Sequence, residues 1–365
     1  MTSFRVSSYI MRECGRALSL VSSHSPHTRD RALRASFGGI RRGSRLPTVS
    51  PAFVALVCFL TGCALIARRG TIAYFAVTAQ TTDMKVQINR EFIEKYKNRV
   101  IIHTTLTIDR AMQSPFPTFL DGDLHLAGRA PQIGLPTVGE IANAASQEEA
   151  VQIVHRAEGT GEPLKVSGVW RVWPEHAAIK MEKQGDSLLP YETTNPEHVF
   201  EIHPVTRIND TDLLDSFRPV EGFKPGGAQR TFGIYEKAPC KLKVEQKTVS
   251  IFTRTGLYND VEFIMELADA RQLVVPDGRF VVASARDLDG GLLVEHLRMV
   301  FVKGTVPERT VRLLKRGDRL HVFGIPRLDF AEISRRVRES GTNPAVLTGT
   351  LPYEIIVIGV YTNGK

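Results

Sequence analysis

The sequence predicts a mainly β fold with short helices, arranged as two tandem small β-barrel domains behind a separate N-terminal leader. Three observations carry this expectation. Runs of β-branched and aromatic residues recur between turn-forming Gly, Pro and Asp residues. The second half repeats the first at a nearly constant spacing. The positive charge, finally, sits almost wholly before the first β-rich run.

The charge is read first because it restricts function. The 365-residue chain carries a formal +8, yet residues 1–69 hold eleven Arg, no Lys and only Glu13 and Asp30 as acids. That leader is therefore +9 and residues 70–365 are −1. Proteins that hold nucleic acid neutralise phosphates with clustered Lys and Arg, so a near-neutral body argues against nucleic acid as a partner. The Arg-rich, acid-poor leader has transit-peptide composition. The preferred reading is a start site placed too far upstream, with residues 1–40 outside the working chain.

Arg41, Arg42 and Arg45 precede an apolar run from Pro51 to Ala67, the order of a secretory signal. The run is short for a membrane span and is interrupted by Thr61 and Gly62. Two export solutions follow. In one, Leu60-Thr61-Gly62-Cys63 acts as a lipobox and Cys63 is lipidated. In the other, Arg68 and Arg69 lead a second apolar stretch and cleavage follows Ala79. Both predict an exported protein, periplasmic or extracellular, whose membrane contact is confined to residues 51–67 or to lipid on Cys63. Beyond the leader only Cys240 remains, which excludes an internal disulfide and a Cys-based zinc site.

In the body, residues 84–215 are expected to form the first barrel, 216–240 a linker and 241–365 the second barrel. Strands are expected at 100–108, 121–129, 164–173 and 199–208, with a helix at 148–157. The second half matches this with strands at 249–254, 261–267, 279–285, 292–303, 320–325 and 353–361, and helices at 308–315 and 329–339. At an offset of 156, Asp121-Gly122 falls on Asp277-Gly278. Leu164, Val166, Gly168 and Arg171 fall on Leu320, Val322, Gly324 and Arg327 at that same offset. Phe200-Glu201-Ile202 matches Tyr353-Glu354-Ile355 at an offset of 153.

Two resemblances follow from particular residues. The run Leu314-Lys315-Arg316-Gly317-Asp318-Arg319-Leu320-His321-Val322-Phe323-Gly324 resembles the start of a barrel strand in OB-fold proteins, notably bacterial single-stranded-DNA-binding proteins; it implies an OB-like fold and not a function. Asp121-Gly122-Asp123-Leu124-His125, Gly168-Val169-Trp170 with His176, and Glu201-Ile202-His203-Pro204-Val205 together resemble a set of uncharacterised exported bacterial proteins. That resemblance implies secretion and a β-barrel and brings no known activity. The Asp-Gly-Asp also resembles thermonuclease-like OB-fold nucleases, but their downstream arginine and acidic motif has no match in 130–145.

The candidate site is metal-binding. If 121–129 is a strand, its period-2 alternation puts Asp121, Asp123 and His125 on one face, and Glu201 shares a face with His203. Carboxylates and imidazoles converging from neighbouring strands suit a divalent metal able to activate water. The simpler reading of Asp-Gly is a hairpin turn, with Asp123 and His125 on a solvent face. Trp170 and Arg171 are a candidate stacking platform for a ligand. Alternation puts Trp170 and Trp173 on opposite faces, one in the core and one at the rim. No P-loop, Rossmann glycine pattern, His-Glu-x-x-His or nucleophile elbow is present. The expected function is thus a non-catalytic binding or assembly module, with an unidentified protein or small-molecule partner in the cell envelope and no cofactor beyond a divalent metal. The alternative is a metal-dependent hydrolase or nuclease using Asp121, Asp123, His125 and His203.

Overall fold

A computed structural model of the chain describes residues 83–361 apart from positions 270 and 342. Cys63, Ala79 and the whole expected leader lie outside the described residues. Among the described residues no helix is long and apolar enough to cross a membrane.

The chain opens with strand β1 (Asp83–Asn89) and helix α1 (Arg90–Tyr96), then enters a five-stranded barrel. Its strands are β2 (Ile101–Ala111), β3 (Leu124–Arg129), β4 (Thr137–Ile141), β5 (Pro163–His176) and β7 (His198–Ile208), with helix α2 (Glu148–Ala157) between β4 and β5. They pair in the order β4-β3-β2-β5-β7, and β7 closes onto β4 in parallel. The short strands β6 (Glu182–Lys183) and β8 (Thr211–Asp212) flank β7. Closure removes the edges an open sheet would expose.

The second barrel repeats this topology. Strands β11 (Val261–Leu267), β13 (Gly278–Arg286), β14 (Leu292–Val302), β15 (Arg319–Leu328) and β17 (Tyr353–Val360) pair as β14-β13-β11-β15-β17, and β17 closes onto β14 in parallel. Helix α4 (Val306–Val311) takes the place of α2, and β12 (Leu273–Val275) adds to β13. Strict alternation explains β11: Val261, Phe263, Met265 and Leu267 are buried and the residues between them are not. Both barrels are of OB type, as the sequence predicts.

The segment expected to be a linker contains a helix, α3 (Ala228–Tyr235), that buries Phe232 and Tyr235. Beyond it, β9 (Pro239–Val244) and β10 (Thr248–Arg254) belong to neither barrel. They pair with β1 on one side and with β16 (Ala345–Thr350) on the other, forming a third sheet ordered β16-β9-β10-β1-β6. Its inward side chains, among them Met84, Val86, Ile88, Leu242, Val244 and Ile251, join the main core. Residues 83–361 therefore form one compact unit.

The repeated residues have a shared physical role. Gly168 and Gly324 sit where a neighbouring strand crosses closely. A Cβ at Gly168 would lie 2.3 Å from Ile202 Cγ2, and one at Gly324 would lie 2.5 Å from Ile355 Cγ2. Three residues on in each copy, Arg171 and Arg327 are 1% and 0% exposed and are paired with Glu201 and Glu354. Each arginine also reaches into the other barrel. Arg171 Nε donates to the Pro326 carbonyl at 2.9 Å, and Arg327 Nη1 donates to the Trp170 carbonyl at 3.0 Å. Pro326 and Trp170 are themselves equivalent positions. Such reciprocity is the mark of an isologous, two-fold-related contact, so the barrels meet as a fused pseudo-dimer. Helix α5 (Phe330–Glu339), capped by Asp329 accepting from Ala331 N and Glu332 N, lays Phe330 against Trp170 with ring centroids 4.4 Å apart.

Candidate metal centre

Asp121 and Asp123 do not lie on a strand. They belong to the turn before β3, where Asp121 Oδ1 accepts from Asp123 N at 3.1 Å, an Asx turn. The turn aims Asp123 toward the same interior as His125, on β3. In the β3–β4 ladder His125 stands opposite Glu140, and the parallel β4–β7 pairing sets Gly139 beside Ile202, which brings Glu140 alongside His203. His203 Nε2 lies 3.1 Å from Asp123 Oδ2, and His125 Nε2 lies 3.7 Å from Glu140 Oε1. Glu140 Oε2 is 2.8 Å from His203 Nδ1. That approach is off the ring N–H direction, so Nδ1 is buried without a hydrogen-bond partner. One donor atom each from Asp123, Glu140 and His203 fall within 4.8 Å of one another.

These groups line a cavity of about 130 Å³ at the junction of the barrels. Asp121, Asp123, Glu140, Glu175 and Asp260 supply five carboxylates and His125 and His203 two imidazoles, with no Lys or Arg in the wall. Phe323, Ile325 and Ile358 of the second barrel form the apolar side, with Val220 and Phe223. Burial and the mutual contacts of these groups set their protonation. Burial pushes the Asp123 carboxyl up to about 6, against the pull of His203. Burial likewise raises Asp121 and Asp260. Burial would also raise Glu140, but His203 and His125 outweigh it and take that carboxyl down to about 2. For His203 burial opposes the charge, and Glu140 and Asp123 overcome it, holding the imidazole well above its ordinary value.

Behind the cavity stands Glu201, 1% exposed, with Oε2 3.6 Å from His203 Nδ1 and Oε1 3.5 Å from His198 Nε2. Burial disfavours its charge, and Arg171 more than compensates, so it stays ionised. Arg171 Nη2 donates to Asn259 Oδ1 at 2.8 Å, tying a cavity residue of the second barrel to the same network.

All four residues proposed from sequence, Asp121, Asp123, His125 and His203, thus face one cavity. Asp123 and His125 are 6% and 7% exposed, so the solvent-face alternative does not describe them. Sequence reasoning missed Glu140, in the five-residue strand β4, whose wholly buried residues show no alternation. Trp170 and Arg171 require a correction. Both are buried, the indole donating to the Arg99 carbonyl at 2.7 Å and its ring covered by Phe330 and by the Arg327 guanidinium, 3.6 Å from the centroid. Neither offers a face to a ligand. Trp173 is not a rim residue either: it is 0% exposed, against Tyr235, because both faces of β5 are covered.

No family model matches the chain. No curated protein matches it either. Among solved structures, a deletion mutant of the single-stranded DNA binding protein from Thermus aquaticus aligns over 73% of this chain and 94% of its own, at 12% identity and a TM-score of 0.20. A structure described as structural mimicry for functional antagonism aligns over 65% of this chain and 90% of its own, at 10% identity and a TM-score of 0.16. Likenesses of that size carry no argument about what this chain binds.

Proposed function

We propose that this chain is a binding protein of two fused OB-type barrels that seats one divalent cation in the junction cavity, on Asp123, Glu140 and His203. The observation that supports this most is the buried triad itself. Two carboxylates and an imidazole converge in a wall without Lys or Arg, and a divalent cation that displaced the imidazole proton would meet all three donors. The mixed oxygen and nitrogen donors suit Mn²⁺ or Zn²⁺ better than Ca²⁺ or Mg²⁺, which favour all-oxygen shells. Asp121 and His125 would act from beside the ligands. The role is non-catalytic, and the partner is a protein or small molecule met outside the cytoplasm. Support for that location is the Arg-then-apolar order of residues 41–67, followed by the alternative processing signals at Cys63 or after Ala79.

Thermal unfolding of the full chain, stripped with chelator and then titrated with Mn²⁺ or Zn²⁺, tests the proposal. A cation held only by the folded state stabilises it by about 2.7 kcal/mol at a hundred times its dissociation constant. His203→Ala should abolish the effect. No stabilisation of the parent chain by either ion would end this reading.

A second reading, hydrolysis by a metal-activated water, is favoured by the 130 Å³ of space beside the ligands. A metal held there would polarise an ester, amide or phosphodiester substrate. Metal-dependent turnover of a chromogenic ester, lost in Asp123→Asn, would move the assignment to this reading.

A further inference from the structure

The pseudo-two-fold that places an acidic cavity on one side of the barrel junction creates a counterpart on the other. Asn259 and Phe323, in the cavity wall, correspond at the 156-residue offset to His103 and Ser167, and Asp121 corresponds to Asp277. These three line an open groove of about 610 Å³, far roomier than the cavity. The groove continues past Ile101 and Pro276 to Lys95, Tyr96 and Arg99. Four cations, Lys95, Arg99, Arg207 and Lys303, and two acids, Asp212 and Asp277, line this groove.

The cations are exposed and little used. Among the described residues Lys95 and Arg99 have no carboxylate partner; Lys95 lies over the Tyr96 ring, 5.0 Å from its centroid. The Lys303 ammonium donates to the Pro276 carbonyl at 3.3 Å. Arg207 meets Asp212 in a solvent-exposed pair at 3.2 Å, a contact of little strength. The other acid, Asp277, is already engaged, since its Oδ2 accepts from the backbone N–H groups of Val100 and Ile101, each at 3.0 Å. His103, Ser167 and Arg207 stand in one cross-strand row over β2, β5 and β7.

We propose that this groove docks an extended acidic segment of a partner protein, its carboxylates meeting Lys95, Arg99, Arg207 and Lys303. Charge complementarity sets the sign of the ligand, and the open, elongated shape asks for a chain rather than an ion. Ile101, Leu214 and Pro276 in the floor and wall accept aliphatic side chains between the charges. A single-stranded nucleic acid is the poorer fit. It binds through exposed aromatic rings and a strongly basic track, whereas Tyr96 is 7% exposed and residues 70–365 carry a net −1.

The test is fluorescence anisotropy of a short labelled peptide alternating Glu and Val with the full chain at low salt, with oligo-dT as comparison. The peptide should bind, salt should weaken it, and Arg99→Glu/Lys303→Glu should lose about tenfold or more in affinity. Lys241→Glu, an exposed reversal on the third sheet, should leave binding unchanged, and equal unfolding midpoints should show that all variants fold. The proposal is overturned if the parent chain does not bind the peptide, if the double variant binds it as well as the parent, or if oligo-dT binds in preference. None of these outcomes depends on the metal centre.

Discussion

Arg327→Met tests the buried Arg327–Glu354 pair of the second barrel, whose arginine makes one of the two reciprocal contacts between the barrels. The guanidinium is 0% exposed; it donates to Glu354 Oε1 at 2.7 Å and to the Trp170 carbonyl at 3.0 Å, and lies over the Trp170 ring. Methionine replaces much of the volume and none of the charge, leaving Glu354, whose carboxyl burial already holds above its ordinary value, without its main partner. Removing one partner of a buried pair costs about 3–5 kcal/mol, most of it the orphaned charge. Arg298, 3.2 Å from Glu354 Oε2, remains to share that charge, which puts the expected loss in the lower half of the range. Urea unfolding gives the loss as a shifted midpoint at unchanged slope. Arg327→Met/Glu354→Leu removes both charges and should recover most of the loss, because an apolar pair of similar volume is close to neutral in such a site. A loss below about 1 kcal/mol, or an equal loss in the double variant, would refute the claim that the loss comes from an orphaned buried charge.

The duplication itself predicts matched behaviour. Gly168→Ala and Gly324→Ala would each press a methyl group against an isoleucine and a backbone carbonyl, at 2.3 and 2.8 Å for the first and 2.5 and 2.9 Å for the second. Each should destabilise the chain by about 1–3 kcal/mol; a neutral result at either, measured by thermal unfolding, would contradict the shared close approach. Glu182, 8% exposed, gives a pH dependence because burial raises its carboxyl to about 7 from 4.5. The folded state holds this proton more tightly, so the contribution is full below pH 4.5 and is lost as pH rises through 7. Relative to Glu182→Gln, the parent chain should lose about 3 kcal/mol across that window, and parallel stability curves would show the assignment to be mistaken. At the metal centre, Glu140→Gln should weaken Mn²⁺ binding by at least tenfold in calorimetry, and an unaltered affinity would remove Glu140 from the site.

Most of the fold was legible because OB strands are local patterns of buried and exposed residues. The expected run 261–267 matches β11 residue for residue, and 353–361 ends one residue past β17. The repeat was legible because Gly168, Arg171 and Glu201 are held by geometry that any copy must reproduce. The third sheet was not, since its β1–β10 ladder joins Val86 to Ile251 across the whole first barrel and no local pattern announces such a pairing. Trp170 and Trp173 misled for a related reason. Alternation assigns two faces to a strand, and only the second barrel reveals that both are covered. The metal centre was half legible: the spaced Asp123 and His125, one in the turn before β3 and one on it, and His203 on another strand stand out, while Glu140 is a lone acid in a short buried run. Its value comes from standing opposite His125, a register that the sequence does not print.

The most direct measurement is an anomalous difference map from crystals of the chain soaked in Mn²⁺. The account predicts one strong peak in the junction cavity, about 2.0–2.2 Å from oxygens of Asp123 and Glu140 and from a nitrogen of His203. A map without a peak there, with His203 lying between the two carboxylates as a plain ion triad, would contradict it.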